Sequence, residues 1–365
     1  MCWLLLTVLA AGGCATQQVQ TPTRSPADVR AQLETLLLPA GVEDRAGWAS
    51  DIQAAFQLLD IPPSSENLCA ALAVTAQEST FNPDPPVPNL SKIAREEIYR
   101  RAAGLKVPQL LVRAALQLRS ASGATYAERL DAVRTEGELN TLYQELVDKV
   151  PLGRRLLAGS NPVRTGGPMQ VSIDFAERHA REHGYPYPTG GSIRDEVFTR
   201  RGGMYFGIAH LLGYPSSYER HLYRYADFNA GWYASRNAAF QAAVAAATGV
   251  PLALDGDLVL HGAADGRVGA TEAATRSLGS LIGMSDDAIA RSLQQGDRLE
   301  FERTDLYQRV FALAEKMQGR PLPRAVIPRI TLDSPKITRK LTTEWFATRV
   351  EERYRTCINR AFASR

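Results

Sequence analysis

Long apolar runs are scarce in this chain of 365 residues. Beyond residue 13 no stretch approaches the about 20 residues that a membrane-spanning helix needs, so no such helix is expected. A surplus of one charge is missing as well. There are 42 Lys and Arg against 39 Asp and Glu, a net +3. No basic tract interleaves with aromatics, which argues against a nucleic-acid partner. Cysteine is sparse: the four are Cys2, Cys14, Cys69 and Cys357, with no CxxC pair. His179 and His183 stand four apart on an expected helix, but no Glu beside them or third ligand completes a metal set, and they read as surface histidines. Asp265-Gly266-Arg267-Val268-Gly269-Ala270-Thr271 lacks the Asp-x-Asp-x-Asp-Gly spacing of a calcium loop and reads as a polar loop. No metal or cofactor is therefore expected. Internal repeats are absent, and strand signals are few.

What is present fits a large globular core: 45% of residues are hydrophobic and 22% charged, which excludes global disorder. Residues 1–13 read as a targeting segment. Trp3-Leu4-Leu5-Leu6-Thr7-Val8-Leu9-Ala10-Ala11 is too short to cross a bilayer as a mature helix. It runs into Gly12-Gly13-Cys14, which resembles a bacterial lipobox, with Cys14 the residue lipidated after cleavage. No Lys or Arg precedes the run. The polar residues 14–26 read as a flexible tether, and Ala15 in place of Asp favours outer-membrane sorting. Removing Cys2 and lipidating Cys14 leaves one pair, Cys69 and Cys357. An oxidising compartment favours a disulfide between them; two separate buried thiols are the alternative.

Helical periodicity dominates from Pro26 onward, with Ser25 as first N-cap. Helices are expected at Pro26–Leu38, Ala46–Leu59, Ser65–Glu78, Ser91–Ala103, Pro108–Ser120 and Ala124–Val150. Others follow at Val171–His183, Arg194–Leu212, Tyr218–Asn229 and Ala234–Thr248. Beyond a Gly-rich stretch come Thr271–Leu281, Ser285–Gln294, Asp305–Gln318 and Lys340–Ala363. Arg329–Leu332 is a candidate short strand. Pro83, Pro85, Pro86 and Pro88 force extended backbone after Glu78. The fold class is mainly α.

Three motifs carry the chemistry. In order they are Ala76-Gln77-Glu78-Ser79-Thr80-Phe81-Asn82-Pro83, Gly166-Gly167-Pro168-Met169-Gln170 and Tyr225-Ala226-Asp227-Phe228-Asn229-Ala230-Gly231. Together they resemble the glutamate-serine, Gly-Leu-Met-Gln and Ala-Tyr-Asn-Ala-Gly signatures of the lysozyme-like lytic transglycosylases, which cleave peptidoglycan glycan strands. Glycosidic cleavage needs a proton donor at the leaving oxygen, and a carboxyl serves at neutral pH when apolar surroundings raise its pKa. Glu78, ending an apolar helix, suits that role. The resemblance implies that Glu78 acts alone as acid and then base, that the substrate's N-acetyl group assists, and that the product is a 1,6-anhydromuramoyl end. It also implies that Ser79 positions substrate or glutamate and that Met169 and Gln170 line the cleft. Pro168 replaces the family's Leu. Phe228 replaces its Tyr, removing a hydroxyl, while Asn229-Ala230-Gly231 is kept.

Eight of the 13 tyrosines lie between Tyr185 and Tyr233. An aromatic face with a polar handle suits saccharide, so Tyr225 and Tyr233 join Asn229 as candidate substrate-binding residues. The implied organisation is a signal at 1–13, a tether at 14–26, a lysozyme-like domain over 27–250 with a helical insertion at 91–150, and a C-terminal helical extension over 251–365. The lipoprotein start with this long insertion also resembles the YaiW-like family of outer-membrane lipoproteins. Two readings stay open: a lipid-anchored lytic transglycosylase, or a non-catalytic glycan-binding or envelope adaptor lipoprotein on the same fold. In either, the partners are peptidoglycan strands and, through the anchor, a membrane.

Overall fold

The computed structural model describes residues 24–37, 41–149, 158–260, 267–332 and 341–363. The signal, Cys14, residues 14–23 of the expected tether and Asp265-Gly266 lie outside the described residues, and the last tether residues belong to the fold: Arg24 donates to the Pro63 carbonyl, Ser25 caps α1 and Pro26 begins it. Helices dominate. They are α1 (Pro26–Leu36), α2 (Arg45–Leu58), α3 (Ser65–Glu78), α4 (Leu90–Gly104), α5 (Gln109–Leu116), α6 (Tyr126–Ala132) and α7 (Glu136–Lys149), followed by the strands β1 (Thr165–Gly166) and β2 (Val171–Ser172). Next come α8 (Ile173–His183), α9 (Ile193–Val197), α10 (Arg200–Leu212), α11 (His221–Ala230) and α12 (Ala234–Thr248). The chain ends with α13 (Ala270–Ser277), α14 (Gly279–Ile282), α15 (Asp286–Leu293), α16 (Asp305–Gln318), β3 (Thr331–Leu332), β4 (Leu341–Thr342) and α17 (Thr343–Ala363).

Helix α3 is the central element. The Ser64 side chain accepts from the Asn67 N–H and Glu66 faces the positive helix end, two N-terminal stabilisers. Residues 68–75 are all buried, so neighbours enclose the helix on every side. It stops where Ser79 leaves helical geometry. Thr80 and Phe81 then take left-handed φ of 52° and 62°, and Pro83 follows. Helices α17 and α10 pack on α3, and α17 also packs on α11. A Cys69–Cys357 disulfide ties α3 to α17 across 288 positions.

Two hydrophobic cores result. The first gathers Leu33, Trp48, Phe56, Leu68, Met169, Phe206, Tyr225 and, from α17, Phe346 and Val350. The second gathers Phe240 and Val244 of α12 with Ile289, Phe301, Leu306 and Phe311. The chain beyond 251 is thus not one extension: its last helix returns to the first core. Arg236 borders the second, 5.2 Å from the Phe301 ring centre. Fully buried, it donates to the Gly296 and Arg298 carbonyls at 2.5 and 2.6 Å and lies 4.3 Å from the Tyr233 ring centre. A buried guanidinium is tolerable only with such partners.

Several expected helices are shorter or divided. The stretch 124–150 breaks into α6 and α7, because Glu138 accepts from the backbone N–H groups of Arg134 and Thr135 and Thr135 bridges Pro86. The stretch 194–212 breaks into α9 and α10, since the Thr199 side chain caps Gly202. Residues 171 and 172 pair with β1 before α8 begins, and 108–120 is helical only over α5. The short strand does form: Thr331 and Leu332 pair with Thr342 and Leu341. The segment α4–α7 is held to the rest of the chain by Asn140, which donates to Asp195 at 3.0 Å and accepts from Asn161 at 2.9 Å.

Candidate functional site

The second and third motif segments dock on one buried helix, α10, and α3, the helix that carries Glu78, packs on it too. Its sequence Arg-Arg-Gly-Gly-Met-Tyr-Phe-Gly leaves side chains off where the second motif arrives. A Cβ on Gly203 would strike the Pro168 ring, and one on Gly207 would strike the Met169 side chain. Gly167 has φ +74° and sits against the Val197 carbonyl with no room for a Cβ, so only glycine fits there. Close packing of the turn Gly167–Gln170 on α10 follows directly.

Helix α3 meets α10 just before the first motif begins, where the Thr75 hydroxyl meets Met204 Sδ at 3.5 Å. Glu78 is half-buried at the end of α3. Ser79 is buried and its hydroxyl donates to the Thr75 carbonyl at 3.2 Å. Phe81 packs edge-on against Trp48, with ring centres 5.5 Å apart.

Met169 is fully buried, so its side chain packs the turn rather than facing a ligand. Gln170 is half-buried with φ +50°. Its side-chain carbonyl accepts from Thr165 Oγ1 at 3.3 Å, and its backbone N–H and side-chain Nε2 donate to the Gly167 carbonyl at 3.0 and 3.4 Å. Its polar groups are engaged within its own hairpin.

The third motif is organised by a residue that sequence reasoning passed over. Asp227 is fully buried and accepts from Tyr214 Oη at 3.0 Å, Tyr218 Oη at 2.7 Å, Tyr233 N at 3.0 Å and Ser235 N at 2.7 Å. Burial raises its pKa even against these donors. The network fixes the turn between α11 and α12. Tyr233 sits there with φ +63°, buried, its hydroxyl on the Pro215 carbonyl at 2.8 Å. Tyr225 is fully buried and faces α17, 6.1 Å from the Tyr354 ring. Tyr225 and Tyr233 therefore hold helices in place instead of presenting a surface to substrate. Asn229 is exposed and accepts from Thr343 Oγ1 at 3.2 Å. An aspartate amid Tyr, Ala and Phe was the available signal, since a carboxylate inside an apolar helix run needs donors.

The end of the third motif, Ala230 and Gly231, borders a groove of about 750 Å³, between the start of α8, the α11–α12 turn, the loop around Gly256 and the segment Leu293–Arg298; no residue of the second motif lines it. Its wall is aromatic. The ring centres of Phe175 and His210 are 4.5 Å apart, and those of Phe175 and Trp232 5.6 Å. Trp232 Nε1 donates to the His210 carbonyl at 2.7 Å, which brings the third motif onto the end of α10. Asp174, Arg178, Asp297 and Arg298 stand at the rim. His210 keeps part of its surface in the groove while its neighbours enclose the ring. That burial holds its pKa down to about 4, with Arg178 adding to the effect, so the imidazole is neutral at pH 7. Its Nδ1 is buried and has no hydrogen-bond partner. A lone His in the apolar run Ile208-Ala209-His210-Leu211 was its signal in the sequence. Glu78 is not among the residues lining this groove.

His179 packs against Phe175 and Tyr205, with the His183 ring 4.7 Å away. Among the described residues no group of three His, Cys, Asp or Glu is placed to hold a metal, and no helix is long and apolar enough to cross a membrane.

A family model described as "Protein of unknown function (DUF1615)" matches residues 41–360. "Uncharacterized protein YaiW" of Escherichia coli (strain K12) is 51% identical over 355 residues, covering 97% of this chain and 96% of the relative. No solved structure matches the chain.

Proposed function

The chain belongs to the DUF1615 family, and from the aromatic groove bordered by the end of its third motif we propose that it binds peptidoglycan glycan strands in the cell envelope. The observation that carries this reading is the meeting of Ser172, Phe175, His210 and Trp232 in one groove, reached from segments distant in sequence. Trp and Phe faces suit the C–H faces of sugars. The charged rim suits hydroxyl and carboxylate groups, with Arg178 and Arg298 matching carboxylates. In this reading Cys14 carries the lipid that fixes the protein to the outer membrane, and the body has the lysozyme-like architecture that the three motifs imply.

Strand cleavage by Glu78, as in a lytic transglycosylase, is a second reading that one observation favours. Glu78 ends a buried helix and is followed by two non-glycine residues in left-handed geometry. Strain of this kind clusters at active sites.

Purified sacculi separate the readings. Wild-type protein is expected to co-sediment with them, and Trp232→Ala to remain in the supernatant. Anhydromuramoyl ends that appear with wild type and vanish with Glu78→Gln would add cleavage to binding. Failure of the wild type to sediment or to release such ends removes both readings.

A further inference from the structure

Helix α5 in the insertion presents its apolar side to solvent. Leu110 is 75% exposed, Leu111 58%, Leu118 43% and the adjoining Leu105 50%. Ala114 is exposed on the same side. Val112 and Leu116, on the opposite side, are 8% and 2% exposed and fasten the helix to the insertion. Positions 110, 111 and 114 follow helical spacing on α5, so Leu110 and Leu111 form one face and not a scatter, and Leu118 follows just past the helix end. Isolated exposed leucines need no explanation, but a contiguous patch does.

Charge chooses the occupant. Residues 105–124 contain Lys106, Arg113 and Arg119 and no carboxylate. The nearby acids are engaged: Glu97 with Arg100 and Arg101, and Glu128 in the capping box of Thr125. Arg113 donates to Gln109, and no ion pair compensates it or Lys106 among the described residues, whereas Arg119 donates to the Gly123 carbonyl and lies within electrostatic reach of Glu128. Apolar side chains ringed by cations are the composition of an interfacial helix on an anionic bilayer. A glycan would be matched by aromatic faces, which this tip lacks. We propose that α5 and the turn before it form a membrane-docking tip that inserts Leu110 and Leu111 among anionic lipid headgroups.

Hydrogen–deuterium exchange of the full chain tests this on vesicles of equal parts phosphatidylglycerol and phosphatidylcholine, beside vesicles of phosphatidylcholine alone. The same N-terminal run is present in both arms, so local exchange reads the tip and not the tether. Amides of residues 105–119 are expected to exchange more slowly on the anionic vesicles by about tenfold, the scale of a few basic contacts with an anionic surface. Leu110→Asp with Leu111→Asp is expected to abolish that protection and leave exchange of α3 and α10 unchanged. Lys106→Glu with Arg113→Glu is expected to do the same without altering the leucines. Equal exchange with and without anionic vesicles overturns the proposal. Equal protection on phosphatidylcholine alone overturns it too, as does protection that needs no vesicle and grows with protein concentration, the mark of a second copy on the patch.

Discussion

Replacing Asp227 by Asn isolates the network beneath the third motif. The carboxylate gives Oδ1 to the Ser235 N–H and Oδ2 to the Tyr233 N–H and to the hydroxyls of Tyr214 and Tyr218. An amide has one oxygen. Whichever way it is turned, one of the two backbone N–H groups meets an NH₂ and loses its acceptor. A buried donor left without a partner costs about 1–3 kcal/mol. Losing charge assistance on the remaining bonds adds to that cost, since such bonds are about twice as strong as neutral ones. Removal of a buried negative charge offsets part of it, because burial already pushes the Asp227 pKa up. The net expectation is a loss of about 2 kcal/mol, read as a lower urea midpoint at unchanged slope. The variant should also bind glycan more weakly, as the turn carrying Trp232 loosens. A stability within 0.5 kcal/mol of wild type, about the scatter of ordinary surface changes, would refute the reasoning, and so would a stabilised variant.

Reducing Cys69–Cys357, or replacing both by Ser, frees α17 from α3. The closed loop spans 288 positions, and the entropy of a loop that long predicts a loss of about 5–6 kcal/mol in urea unfolding; an unchanged midpoint contradicts it. His210 gives a pH signature. Its folded pKa of about 4 lies below the about 6.5 of an unfolded chain, so the unfolded state takes up a proton first as pH falls. Stability is full above pH 6.5 and declines toward pH 4, by about 1–2 kcal/mol at pH 5. His210→Gln should flatten that part of the pH profile, and equal slopes in the two proteins would count against it. Gly207→Ala puts a Cβ into Met169 and should cost about 1–3 kcal/mol as an overpacked contact; a neutral result in thermal unfolding would show that the turn can yield.

The mainly α fold was legible because its cues are local. Ser64 and the apolar run behind it mark α3 at its observed ends, Ser65 and Glu78, and α12 and α16 likewise match. The breaks at 133–135 and at 198–199 were not legible. One depends on Thr135 meeting Pro86, a tertiary contact, and the other on a Thr cap inside a continuous helical pattern. Two-residue strands such as β1 and β2 are too short to show a period. At the site, residue type was legible but side was not: Met169, Tyr225 and Tyr233 have the chemistry of a cleft and the burial of a core. The return of α17 to the first core left a single trace, the pair Cys69 and Cys357. Asp227 and His210 were overlooked because their meaning depends on partners that come from other helices.

The groove itself is tested most directly by a photo-crosslinker. Benzoylphenylalanine in place of Arg178, on the rim, is illuminated with purified peptidoglycan strands, beside the same group at Leu281, which is 68% exposed and outside the groove. Covalent glycan adducts at position 178 and none at position 281 are predicted. No adduct at 178, or equal adducts at both, would contradict glycan binding in this groove.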